Sequence, residues 1–243
     1  MPAIIHIEET DSTNNYLKDL QLKHKLEEGT VVWSDFQTAG KGQQGNSWES
    51  EEGKNLVFSI VFYPKKIKAN EQFILSQIVS LAVADCLRTY TENITIKWPN
   101  DIYWKEKKIC GILIENSLID NVITRSVIGI GININQTKFE SDAPNPVSLR
   151  QITGECHDLK FLIEGIQTTI IEYYTKWQED RMELTRQYKN ILFRNKGFHE
   201  YNDGKSNFMA KIKDVELSGI LVLETEDNIE RRFAFKEVKY LFN

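Results

Sequence analysis

The sequence predicts an α+β fold that carries a small all-β module at its C-terminal end. Three observations lead there. "NLVFSIVFY" (residues 55–63) is rich in β-branched and aromatic residues and stops at Pro64, as a strand does. "NEQFILSQIVSLAVADCLRTY" (70–90) is the longest apolar helical stretch, with Ile74, Ile78, Leu81 and Leu87 near helical spacing. From about residue 196 the chain changes to short strand-like runs separated by turn residues.

In chain order, "PAIIHIEE" reads as a short strand and "DSTNNYLKDLQLKHKL" as a helix. Asp11, Ser12 and Thr13 are natural N-caps, and Tyr16, Leu17 and Leu20 share one helical face. "TVVWSDF" is a strand leading into a glycine loop, and Asn70 is the expected cap of the long core helix. "ITIKW", "DIYW", "ICGILIEN" and "VITRSVIGIGINI" read as four further strands, followed by an irregular connection around Pro144 and Pro146. "DLKFLIEGIQTTIIEYYTKWQ" and "DRMELTRQYKNILF" are helical; "FMAKIKD", "LSGILVLETED" and "RRFAFKEVKYLF" are the strands of the tail. The expected division is a main domain over residues 1–193 and a small one over 194–243.

Bulk properties narrow the function classes. A chain of 243 residues buries a sizeable core without staples, and 41% hydrophobic with 27% charged residues is ordinary for a globular protein. A net charge of −5 gives no global basic footprint for nucleic acid. The N-terminus shows no signal peptide, and no apolar run approaches the ~20 residues of a membrane span, so a cytoplasmic protein is expected. Cys86, Cys110 and Cys156 are odd in number and widely spaced, like reduced thiols; the four histidines lack metal-ligand spacing.

"TAGKGQQGNSW" (38–48) matches G-x-G-x-x-G, the dinucleotide fingerprint, but in the wrong setting. That motif opens a helix and has an acidic residue ~20 positions on; this one runs into another strand, and the corresponding region is the basic "YPKKIK". No G-K-[ST] follows, so it is no P-loop either. Its amides, Lys41 and Trp48 suit a loop that folds over a phosphate-bearing ligand with an aromatic ring; a hairpin connection is the plain alternative.

Four other stretches carry candidate chemistry. In "IKWPND", Lys97 and Asp101 bracket a tight turn, where Asp101 can orient an amine or a metal ion. In "KKICGILIE", alternation puts Lys108 on the face of Cys110, Ile112 and Ile114; an inward lysine requires an anionic partner. In "IGIGININ", Gly129, Gly131 and Asn133 share a face, leaving either a bare floor for a flat ligand or room for a crossing helix. In "ETDSTNN", the hydroxyls and amide of Ser12, Thr13 and Asn14 serve as caps or meet an uncharged polar head group such as a urea.

"TDSTNNY", "QTAGKGQQGNSW", "KWPNDIY", "KKICGILIE" and "GIGININ", in that order, resemble the biotin protein ligases over essentially the whole chain. The resemblance implies a mixed-sheet catalytic domain of the biotin/lipoate ligase type and a small SH3-like β-barrel C-terminal domain. It also implies a two-step reaction: biotin and MgATP give biotinyl-5′-adenylate and pyrophosphate, and a lysine of a biotin carrier domain of a biotin-dependent carboxylase then takes the acyl group and releases AMP. Lipoate or related acyl-adenylating ligases are the alternative on the same scaffold. Because the chain starts at the catalytic strand, a short form without an N-terminal DNA-binding domain is expected, with no DNA and no membrane as partner. A monomer or a homodimer is expected, and "VITRSVIGI" is a candidate edge strand for pairing between chains.

The resemblance also implies roles. Lys108, Asp101 and Lys41 are the catalytic candidates: Lys108 at the adenylate linkage, Asp101 in the acceptor-lysine step, Lys41 in the glycine loop. Ser12, Thr13, Asn14, Gln37, Gly40, Lys41, Gly42, Gln43, Lys108, Gly111, Gly129 and Gly131 match biotin-side positions. Trp48, Asn100, Lys108 and Asn133 match the ATP side; no protein metal site is implied. The usual loop pattern is G-R-G-R-x-G, and Lys41 and Gln43 replace two arginines, removing one charge and both bidentate forks.

Overall fold

The computed structural model describes residues 1–43, 46–140 and 145–242. Gln44 and Gly45 of the glycine loop, and Pro144 of the irregular connection, lie outside the described residues. The main element is a seven-stranded mixed sheet in the order β1-β2-β3-β7-β6-β5-β4. Its strands are β1 (Ile4–Thr10), β2 (Val31–Gln37), β3 (Leu56–Phe62), β4 (Ile94–Lys97), β5 (Asp101–Trp104), β6 (Lys107–Ile119) and β7 (Val122–Ile132). β1 and β2 are parallel, joined through helix α1 (Thr13–Lys23); every other neighbouring pair is antiparallel. β7 lies between β3 and β6, so the expected edge strand is an interior one.

The two-residue period of the strands divides the core between the sheet faces. Val31, Ile60, Ile128 and Ile130 belong to the large cluster with helices α2 (Phe73–Arg88) and α4 (Leu159–Lys176). Val32, Val61 and Val127 form a smaller cluster with Leu17 of α1. β3 is buried along its whole length, which explains why it is apolar at every position but Ser59. α1 packs mainly over β2, β3 and β7, and reaches β6 through the bonds of Asn14 and Lys18 to Glu115. The same face of β5 and β6 is thereby left for a cleft.

Two capping expectations change. α2 starts at Phe73 after Gln72, whose side chain makes no cap bond; Asn70 sits in a preceding 3₁₀ turn, Ala69–Glu71. Ser12 is the N-cap residue of α1, but its side chain makes no cap hydrogen bond. Helices α3 (Leu149–Thr153) and α5 (Arg181–Asn190) complete the α elements.

The C-terminal sheet comprises β8 (His199–Asn202), β9 (Asn207–Val215), β10 (Leu221–Thr225), β11 (Glu230–Phe233) and β12 (Lys239–Tyr240), in the antiparallel order β11-β10-β9-β8-β12. It does not close into the expected barrel: among the described residues β11 and β12 are edges and do not pair. The run "RRFAFKEVKYLF" splits because a turn intervenes, with Lys236 at φ 70°. Tyr201, Leu221, Phe233 and Tyr240 join the same hydrophobic cluster as the main sheet, and Trp98 Nε1 donates to the Gly219 carbonyl at 2.9 Å. No helix among the described residues is long and apolar enough to cross a membrane.

Candidate active site

One irregularity in β6 sets the site. Opposite β5, Asp101 pairs with Gly111 and Ile102 with Cys110, but Tyr103 pairs with Lys108, so Ile109 is an extra residue. This bulge reverses the alternation upstream of it. Lys108 therefore leaves the face of Cys110, contrary to the sequence expectation, and joins Gly111 and Asp101. Its Nζ lies 2.8 Å from Asp101 Oδ1, with both side chains about three-quarters buried. The Ile109 carbonyl accepts from Asn133 N at 2.9 Å, and Lys108 exchanges backbone bonds with Asn145 and Val147. The expected anionic partner of Lys108 is thus the carboxylate of the "KWPND" turn.

On this face one row across the sheet reads Val57, Gly131, Gly111, Asp101, Lys97, and the next reads Ser59, Gly129, Leu113. Protein side chains cover the glycines. A Cβ on Gly129 would lie 2.6 Å from Asn14 Oδ1, so this glycine seats a carboxamide. A Cβ on Gly131 would lie 2.4 Å from the Trp48 indole, and one on Gly111 2.9 Å from it. Trp48 Nε1 is buried without a hydrogen-bond partner, and Lys108 Nζ stands 5.7 Å from the ring centroid.

The glycine loop folds back on itself. Lys41 bridges Ser47, Gly42 N donates to Asn46 O at 2.8 Å, and Trp48 N to Gly40 O at 2.9 Å. A Cβ on Gly40 would meet the Trp48 carbonyl at 2.6 Å. This crossing carries Trp48 onto the glycine floor. Lys41 is exposed, donating to Asn15 Oδ1 at 3.1 Å, and Gln43 lines the same cleft.

Ser12, Thr13 and Asn14 start α1 against the far side of the floor and are all buried. Gln37 at the end of β2 accepts from Thr13 N at 2.8 Å and from Thr13 Oγ1 at 3.1 Å. Asn100 and Asn133, expected on the ATP side, are buried and spend their amides on the fold. Asn100 Nδ2 donates to the Ile112 carbonyl, and Asn133 Nδ2 to Val147 O at 3.2 Å. Every candidate residue lines or adjoins a single cleft of about 1130 Å³ that runs from Thr13 past Trp48 and Lys108 to Tyr240 and Phe242.

The sequence pattern of the biotin/lipoate A/B protein ligase family matches residues 6–133, more than half of the chain. The chain belongs to this family. It is 30% identical over 217 residues to the bifunctional ligase/repressor BirA of Bacillus spizizenii, spanning 85% of this chain and 65% of that protein. It is 29% identical over 178 residues to the biotin–[acetyl-CoA-carboxylase] ligase of Paracoccus denitrificans, covering 70% of each. The structure of biotin protein ligase from Aquifex aeolicus in complex with biotin and ATP superimposes with a TM-score of 0.81 at 27% identity, covering 99% of this chain and 100% of that one.

This member of the biotin/lipoate ligase family brings into its cleft Lys97, which the sequence placed beside the turn without a role, and sets Ser59 and Glu115, which the sequence did not single out, just behind it. Lys97 is half-buried, with its ammonium 4.9 Å from the Tyr240 ring and 5.4 Å from that of Tyr103. Burial pulls its pKa below the ordinary lysine range, against the opposing pull of Asp101. Ser59 and Glu115 stand behind Asn14. A serine inside "LVFSIVF" and a glutamate ending "GILIE" were the available signals: each breaks an otherwise apolar strand.

Proposed function

We propose that the protein is an ATP-dependent biotin–protein ligase. Biotin's carboxylate attacks the α-phosphate of ATP, forming biotinyl-5′-adenylate and releasing pyrophosphate. The amine of an acceptor lysine on a biotin carrier domain then attacks the acyl carbon, forming an amide, releasing AMP and losing a proton. The observation that carries the reading is the Lys108–Asp101 pair on a glycine floor, with a buried uncharged polar pocket at one end of the same cleft.

Neither step needs a protein nucleophile. The first brings two anions together, and Lys108 supplies a fixed cation where charge develops on the phosphate. An incoming anion competes with Asp101 for that ammonium and frees the carboxylate. Asp101 is then placed to take the proton of the acceptor amine. Lys97 adds a second, half-buried cation along the same row. Ser12, Thr13, Asn14 and Gln37 offer a urea both donors and acceptors, which suits biotin better than the apolar dithiolane of lipoate. Among the described residues no three His, Cys, Asp or Glu side chains converge on a metal site. Magnesium is read as entering with ATP, held through its phosphates. The working division of the chain is a catalytic domain over 1–193 and a small domain over 194–243 that supplies Tyr240 and Phe242 to the cleft wall.

ATP–pyrophosphate exchange tests the reading. Exchange with biotin, and none with lipoate or without acid, is expected. Exchange with lipoate alone moves the protein to the other acid, and no exchange with either overturns the proposal.

A further inference from the structure

Behind the polar end of the cleft runs a chain of hydrogen bonds whose direction is set from outside it. Lys18 Nζ lies 2.6 Å from Glu115 Oε1, and Asn14 Nδ2 lies 2.6 Å from Glu115 Oε2. An ionised carboxylate only accepts, so the group of Asn14 that faces it is the NH₂, and the Asn14 carbonyl faces Ser59. Ser59 Oγ stands 2.5 Å from Asn14 Oδ1 and 2.8 Å from Thr13 Oγ1, in a fully buried position. A serine hydroxyl has one proton. Asn14 Oδ1 can only accept, and it is the nearer neighbour, so the proton goes there. Ser59 then presents lone pairs to Thr13. The other inward neighbour of the Thr13 hydroxyl, Gln37 Oε1 at 3.1 Å, is also an acceptor. The single Thr13 proton is committed inward, and the outward side of its oxygen accepts.

We propose that Glu115, ion-paired to Lys18, acts through Asn14 and Ser59 to hold Thr13 as a hydrogen-bond acceptor, and so selects a ligand that presents an N–H there. Glu115 and Ser59 are positioning residues: neither touches the ligand. The proposal rests on the biotin reading above and names the part of biotin concerned, a ureido N–H. The seat at Gly129 belongs to the same device, since only a residue without Cβ leaves space for the Asn14 carboxamide. A wrongly directed buried hydrogen bond leaves two acceptors or two donors facing each other, which is why direction governs selectivity.

The test compares biotin with its two cyclic carbamate analogues, each with one ureido N–H replaced by ring oxygen, in ATP–pyrophosphate exchange. Glu115→Gln is isosteric at a side chain one-third exposed, so it keeps the fold; Ser59→Ala cuts the chain at its centre. The wild type is expected to discriminate against one carbamate by a hundredfold or more in kcat/KM. Both variants are expected to raise the KM for biotin about tenfold and to reduce that discrimination about tenfold, with kcat and the KM for ATP within twofold. Unchanged discrimination in Glu115→Gln, or equal losses on biotin and the carbamate, overturns the relay. Failure of the wild type to exchange with biotin at all defeats the functional reading instead, and the two failures are distinct.

Discussion

Lys108 and Asp101 sit on neighbouring strands as a 2.8 Å ion pair, and they share a face only because Ile109 is an extra residue in β6. The pair holds a cation over the glycine floor while neutralising it until another anion arrives. Breaking a largely buried pair from one side leaves the remaining charge uncompensated. Lys108→Ala is therefore expected to lower kcat/KM for ATP–pyrophosphate exchange by about 10²–10³-fold. Far-UV circular dichroism should show the sheet retained. A loss below tenfold shows that Lys108 does not stabilise the reacting phosphate.

Trp48 lies where a ligand on the floor has to pass. Gly131→Ala places a methyl 2.4 Å from the present indole position, and the ring has to leave. The expected result is a shift of tryptophan emission, absent when Gly131→Ala is made in a Trp48→Phe background, with adenylate affinity at least tenfold weaker. Emission and affinity like those of the wild type refute a tight floor.

Lys97 is a cation kept in a place that disfavours it. Burial depresses its pKa, so its charged form weakens the folded state. Lys97→Met is expected to stabilise the protein by about 1 kcal/mol in urea unfolding at neutral pH, and to slow exchange at least tenfold. A more stable variant of full activity assigns no role to the charge.

Acid sensitivity has a local origin in the C-terminal sheet. Hydrogen bonds from Lys211 and then Lys213 hold the Glu224 carboxyl at about 2 in the folded state. An unfolded glutamate titrates near ~4.3. Its contribution is fully present above that unfolded value and is lost as pH falls through the folded one. Glu224→Gln is expected to flatten the fall in urea stability below about pH 4, and a carboxyl ¹³C titration of the wild type reads the depressed pKa directly. An unaltered acid limb places the sensitivity elsewhere.

Much of this arrangement was legible in the sequence because periodicity and punctuation agree. The strand "NLVFSIVFY" lies in the main sheet, the helix after Asn70 packs in the core, and the five motifs meet at one cleft. The rest depended on cross-strand information. Alternation put Lys108 with Cys110; Gly111 inside "KKICGILIE" signals a bulge or a close backbone approach, but not that the extra residue is Ile109, between Lys108 and Cys110. Gly129 and Gly131 read as a floor for a ligand or room for a helix. The observed occupants are Asn14, 115 positions earlier in the chain, and Trp48. "HEYN" lacks the apolar alternation of a strand and becomes β8 only through its neighbours β9 and β12. The open edges at β11 and β12, where a closed barrel was expected, were likewise invisible, since edge pairing leaves no local pattern.

The bulge at Ile109 has a bearing on descent. In a regular strand, residues three apart point to opposite sides; here Lys108 and Gly111, three apart, point to the same one. A single-codon deletion between them restores regular parity and turns the lysine into the apolar layer, at one stroke and without altering any residue's identity. The number of residues in this strand therefore matters to the site as much as the lysine itself.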